Sequence, residues 1–156
     1  MRNFLALLLS VMTATAAMAQ PQIDGLSASQ AYAYPPLKGP NMGVAFVTLR
    51  NDGDTPWQLS EASSPAFGKV EIHETLKTDG VMRMREIDVL PLPPGGQVTM
   101  QPGGIHLMLM QPSAALEAGQ TLELSLRFTD AKGEEVSLTL PVPIKPRGAA
   151  GGHEHH

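Results

Sequence analysis

Three features of the sequence predict an all-β protein of two packed sheets. From Gly43 onward apolar residues recur at every second position in short runs, the runs are separated by turns rich in Pro, Gly and Asp, and no stretch keeps a helical period long enough to form a stable helix. Seven or eight strands at this spacing describe either a Greek-key sandwich or a closed barrel, and periodicity alone fits both.

Val44, Phe46 and Thr48 alternate with Ala45, Val47 and Leu49, a run apolar on both faces that suits an interior strand, and it stops at the turn sequence Asn51-Asp52-Gly53-Asp54. Trp57 and Leu59 open a second run. In a third, Val70 and Ile72 share one face, which puts Glu71 and His73 together on the other. Asp79-Gly80 is a hairpin turn joining that strand to a neighbour from Val81 to Val89, so the two are expected to lie antiparallel.

Short runs Gln97 to Gln101 and Ile105 to Gln111 follow, divided by Pro102-Gly103-Gly104. The cleanest alternation closes the domain: Leu122, Leu124, Leu126 and Phe128, a turn at Asp130 to Gly133, then Val136, Leu138, Leu140 and Val142. These two runs form a final hairpin packed on the core. Ser113 to Ala118 is long enough for one helical turn at most.

The ends differ from this domain. Arg2, the apolar stretch Phe4 to Val11 and the small-residue site Ala17-Met18-Ala19 follow the order of a secretory signal, expected to be cleaved before Gln20. Its apolar part is shorter than the ~20 residues of a spanning helix, so no membrane insertion is expected after cleavage. The organisation expected is therefore a cleaved signal peptide at 1–19, an N-terminal segment at 20–42 in which Tyr32 and Tyr34 are able to pin an edge strand, a sandwich at 43–146 and a flexible tail at 147–156. One core and a monomer are expected.

Without Arg2 the chain has 10 basic and 15 acidic residues, a formal charge of −5 with histidines neutral, which argues against nucleic acid and anionic membranes as partners. Cysteine is absent, so packing alone must hold the domain together; thiol nucleophiles, iron–sulfur clusters and blue-copper thiolate sites are excluded. Methionine is plentiful: Met42, Met82, Met84, Met100, Met108 and Met110 remain after the signal.

His106 and Met108 stand two residues apart on one strand face, with Cα atoms roughly 6.5–7 Å apart, while Leu107 and Leu109 face the core. His73 lies near the end of the strand that the Asp79-Gly80 turn pairs with the run holding Met82 and Met84. Methionine also fills gaps in cores, and a lone strand histidine is commonly a hydrogen-bonded surface residue. Two imidazoles and two thioethers would instead form a soft, uncharged set that selects Cu(I) over zinc and harder ions.

In order, His73, ten residues, Met84, twenty-one residues, His106, one residue and Met108 make the pattern H-x10-M-x21-H-x-M. With Asn51-Asp52-Gly53-Asp54, Ala62-Ser63-Ser64-Pro65, Val70 to Glu74, Met82 to Glu86 and Pro102 to Met110, the chain from Gly43 to Pro143 resembles the periplasmic copper chaperone family PCu(A)C. The family often has methionine after the His-Glu pair of its first ligand segment; here that position is Thr75.

The resemblance implies a cupredoxin-like Greek-key β-sandwich in the periplasm, a Cu(I) site of His73, Met84, His106 and Met108, and delivery of copper towards the copper centre of cytochrome oxidase, in some systems alongside a Sco-type protein. Met82 and Met110 share strand faces with these residues but fall outside the pattern. They are expected beside the site or in the core, with exchange into the site as the alternative.

The tail His153-Glu154-His155-His156 is a second candidate, where His153, His155 and His156 with carboxylates favour Cu(II). It is not the uninterrupted histidine run of an appended tag. Rival functions remain at this level. An enzyme fares worst, because no nucleophile–base pair has recognisable spacing and soft ligands do not acidify bound water as zinc does. A metal-free binding module and a copper-storage or detoxification protein are the other two.

Overall fold

A computed structural model describes residues 21–148, all in strands, turns and irregular segments, with no helix among them. The signal sequence and the tail histidines His153, His155 and His156 lie outside the described residues.

In chain order the strands are β1 (Gln22–Ile23), β2 (Leu26–Tyr34), β3 (Gly43–Asn51), β4 (Trp57–Ser63), β5 (Phe67–Thr78), β6 (Val81–Glu86), β7 (Leu90–Leu92), β8 (Gln97–Thr99), β9 (Ile105–Pro112), β10 (Thr121–Asp130) and β11 (Glu135–Pro143). The larger sheet runs β1-β2-β3-β9-β5-β6, with β8 also paired to β3; the smaller runs β11-β10-β4-β7. Every strand pairing is antiparallel, and neighbours distant in sequence, such as β3 with β9 and β4 with β10, give the crossovers of a Greek-key sandwich.

The two-residue period fixes which side chains meet between the sheets. Ala45, Val47 and Leu49 of β3 and Leu107 and Leu109 of β9 face Leu59 of β4 and Leu122, Leu124, Leu126 and Phe128 of β10, and these residues are buried. Each of the valine, leucine and phenylalanine side chains contributes roughly 1.5–3 kcal/mol, the main term available to a chain without disulfides. Asn51 is a fully buried polar residue: its Nδ2 donates to the carbonyls of Thr55 and Leu92, and its Oδ1 accepts from the Gly53 amide. It ties the β3–β4 turn to β7.

The closing hairpin β10–β11 forms as its alternation predicts, with Asp130 Oδ1 accepting the Lys132 and Glu134 amides across the turn. At the N-terminal end the sandwich begins earlier than expected. Leu26–Tyr34, placed by the sequence pattern outside the sandwich except as an edge strand pinned by Tyr32 and Tyr34, pairs with β3 on both sides of a bulge between Ser29 and Tyr32, where Gln30 has φ 52°, with Tyr32 opposite Phe46 and Tyr34 opposite Val44. Leu26, Ala28 and Ala33 are buried in the core. Small residues and the bulge break the alternation, which hid the strand from periodicity.

The expected tail also starts with an anchored residue. Arg147 Nε and one Nη donate to the Pro35 carbonyl at 3.2 and 3.1 Å, with the guanidinium over the Tyr34 ring.

Candidate metal centre

The outer face of the larger sheet carries the site. Register sets His106 of β9 directly opposite His73 of β5, with ring centroids 5.8 Å apart. Met108 lies one two-residue step to one side of this pair, opposite Glu71. Met84 lies one step to the other side, opposite Thr75. The four thus form a diagonal across β9, β5 and β6.

The sequence places them there for local reasons. Asp79 and Gly80, with φ 52° and 79°, make the two-residue turn whose twist suits a hairpin, and so fix Met84 opposite Thr75. Pro102-Gly103-Gly104 turns the chain into β9, and the Gly104 carbonyl accepts from both the Thr75 amide and His106 Nδ1, each at 3.1 Å.

His106 is 5% exposed and packs beside Phe46, ring centroids 6.5 Å apart; Phe46 sits under Tyr32 and Tyr34. Burial pushes its pKa below the ordinary histidine value, against the opposing effect of the Gly104 carbonyl. Because that carbonyl can only accept, Nδ1 carries the proton of the neutral ring and Nε2 keeps its lone pair.

His73 presents the opposite nitrogen. Its Nε2 lies 2.7 Å from Glu71 Oε2, while its Nδ1 is buried with no hydrogen-bond partner. Lys69, then His73, hold the Glu71 carboxyl below the usual carboxylate range, so Glu71 is an anion that accepts the Nε2 proton. An orphaned imidazole nitrogen, its ring braced by a carboxylate, is the arrangement of a metal-binding histidine.

His106, Met108 and Met84 line one open cavity of about 300 Å³, with Thr75, Phe46 and Met42 among the other walls. His73 stands next to it through its contact with His106. Among the described residues no three His, Cys, Asp or Glu side chains gather as a metal site; the side-chain donors nearest the two imidazoles along the cavity are the thioethers of Met84 and Met108.

Met82 and Met110 do not line the cavity. Met82 pairs with Lys77 towards the hairpin tip and is 57% exposed; Met110 pairs with Lys69 and is half-buried. Met42 is the sulfur that sequence reasoning missed, since its place depends on the fold of the 35–42 segment and no spacing links it to the other ligands. Glu71 was legible from its two-residue offset from His73 on one strand face.

A model of the LpqE-like family, described as putative lipoprotein LpqE-like, matches residues 26–142. The putative lipoprotein Lxx21020 of Leifsonia xyli subsp. xyli is 32% identical over 136 residues, covering 86% of this chain and 77% of that protein. The copper-bound PCuAC domain from PmoF2 has a similar fold, with TM-score 0.65 and 26% identity over 83% of this chain and 99% of that one. The solution structure of CuI-DR1885 from Deinococcus radiodurans gives TM-score 0.55 and 25% identity, covering 80% and 81%.

Proposed function

This chain belongs to the LpqE-like family, of PCu(A)C type, and from that premise we propose that it is an exported copper carrier holding one Cu(I) ion through His73, Met84, His106 and Met108. The observation that carries the reading is the opposed histidine pair, in which each ring has one nitrogen bound to an oxygen acceptor and the other free, beside a cavity lined by two of the chain's methionine sulfurs from the pattern. Neutral imidazole and thioether donors suit a soft monovalent ion and need no deprotonation to bind it. A thioether also forms no disulfide, so it stays available in an oxidising compartment.

Export and a periplasmic location rest on the signal-like first residues and on the lipoprotein name of the Leifsonia relative. The work is carriage without catalysis: the half-buried and exposed sulfurs leave the ion within reach of an acceptor, for which a copper-centre subunit of cytochrome oxidase or a Sco-type protein is proposed. The tail residues His153, His155 and His156 are proposed as a separate Cu(II) site that raises the local copper concentration, tethered by the Gly-rich residues before them.

Competition of the full chain against a Cu(I) chelator under anaerobic, reducing conditions tests the reading. His106→Ala and Met108→Leu are each expected to weaken binding sharply while the protein stays folded. Unchanged affinity in both variants rejects the Cu(I) site and leaves a metal-free binding module.

A further inference from the structure

The cavity holds one more sulfur than the four-residue pattern uses. Met42 lines it together with Met84, Met108 and His106, yet comes from a different part of the chain. The 35–42 segment that carries it joins β2 to β3, and its Leu37, Pro40 and Met42 line the cavity. It is held by the Leu37 amide on the Met42 carbonyl at 3.1 Å, the Asn41 amide on the Leu37 carbonyl at 3.0 Å, and the Arg147 guanidinium on the Pro35 carbonyl. Asn41 takes the left-handed conformation, φ 53°, that turns the chain back towards β3.

The donors are graded by depth. His106 is buried and Met108 half-buried, whereas Met84 is 58% exposed and Met42 36% exposed. The two outer sulfurs sit on independent elements, the β5–β6 hairpin and the 35–42 segment, and both open onto the same cavity. Exposed side chains change rotamer on the picosecond-to-nanosecond scale, so either thioether is able to reach an ion seated on the deeper donors without rearranging the sheet.

We propose that Met42 is a fifth copper-binding residue, a thioether that exchanges with Met84 at the mouth of the Cu(I) site so that the ion keeps a sulfur ligand while one outer methionine is released to an acceptor. The inference rests on the Cu(I) reading above, and deepens it by naming the residue that makes the site redundant at its rim.

The test compares Cu(I) affinities, by chelator competition, of the full chain, Met42→Leu, Met84→Leu and the double variant, with His106→Ala as reference. Leucine keeps apolar bulk and removes only the sulfur. Each single variant is expected to bind less tightly, and the double variant to lose roughly tenfold more affinity than the product of the two single losses, because each methionine covers for the other. Copper X-ray absorption of Met84→Leu is expected to keep its full sulfur shell, and the double variant to lose one sulfur. A double variant no weaker than Met84→Leu, while His106→Ala has lost binding, overturns the role of Met42 and leaves the four-residue site standing. Wild-type affinity in His106→Ala overturns both.

Discussion

Glu71 Oε2 lies 2.7 Å from His73 Nε2, two residues away on the same face of β5, and so determines which nitrogen of His73 is left for a metal. Removing the carboxylate in Glu71→Ala frees the ring to turn or change tautomer. A loss of about 10–100-fold in Cu(I) affinity is expected, with Glu71→Gln, which keeps an acceptor oxygen, much closer to wild type. Nitrogen-15 spectra of the metal-free protein should show His73 protonated on Nε2 in wild type and a mixture in Glu71→Ala. A wild-type tautomer in the alanine variant would sink the idea.

Burial of His106 makes the metal-free fold sensitive to acid. Its folded pKa is lowered, so between the ordinary value of about 6.5 and that lower value the unfolded chain binds a proton that the folded one does not. Its contribution to stability is therefore fully present above about 6.5 and is lost as pH falls through the folded value. Urea midpoints of the metal-free protein should drop between pH 7.5 and 5.5, and drop less in His106→Gln. An equal drop in both proteins counts against burial of this ring.

Asn51 closes the β3–β4 turn on β7 through direct hydrogen bonds. Asn51→Ala strands the Thr55 and Leu92 carbonyls and the Gly53 amide, and is expected to cost about 2–4 kcal/mol in denaturant unfolding while leaving Cu(I) affinity per folded molecule unchanged. A loss under about 0.5 kcal/mol would show that these groups find other partners.

The Asp79-Gly80 turn sets the register of Met84. Gly80 has φ 79°, so Gly80→Val strains the turn, with a stability loss of about 1 kcal/mol or more. Amide exchange should rise along β6, and Cu(I) affinity should fall with no ligand altered. Unchanged exchange along β6 would contradict the role given to the turn.

Truncation after Arg147 is expected to abolish Cu(II) binding and leave Cu(I) binding intact, measured by separate titrations with the two ions. Loss of both would show that the two sites are not separate.

Alternation made most strands readable: β3, β5, β9 and the β10–β11 hairpin each keep a two-residue period between a dry inner face and a wetter outer one. The period also put Glu71 with His73, and His106 with Met108, because side chains two apart on a strand leave the same face whatever else the fold does. Strand β2 was legible only at Tyr32 and Tyr34, as an edge strand; its first half and its burial escaped because a bulge at Gln30 shifts its period midway and alanines carry little hydrophobic signal.

Local chemistry in the sequence therefore determined the strands, the tight turns, the soft donor set and the neighbours within each strand. The tertiary structure alone decided that β9 lies between β3 and β5, which sets His73 opposite His106, and that the 35–42 segment carries Met42 to the same cavity. The physical reason is range: a strand's period constrains residues two apart, whereas the order of strands in a sheet follows from how all the apolar faces are buried together.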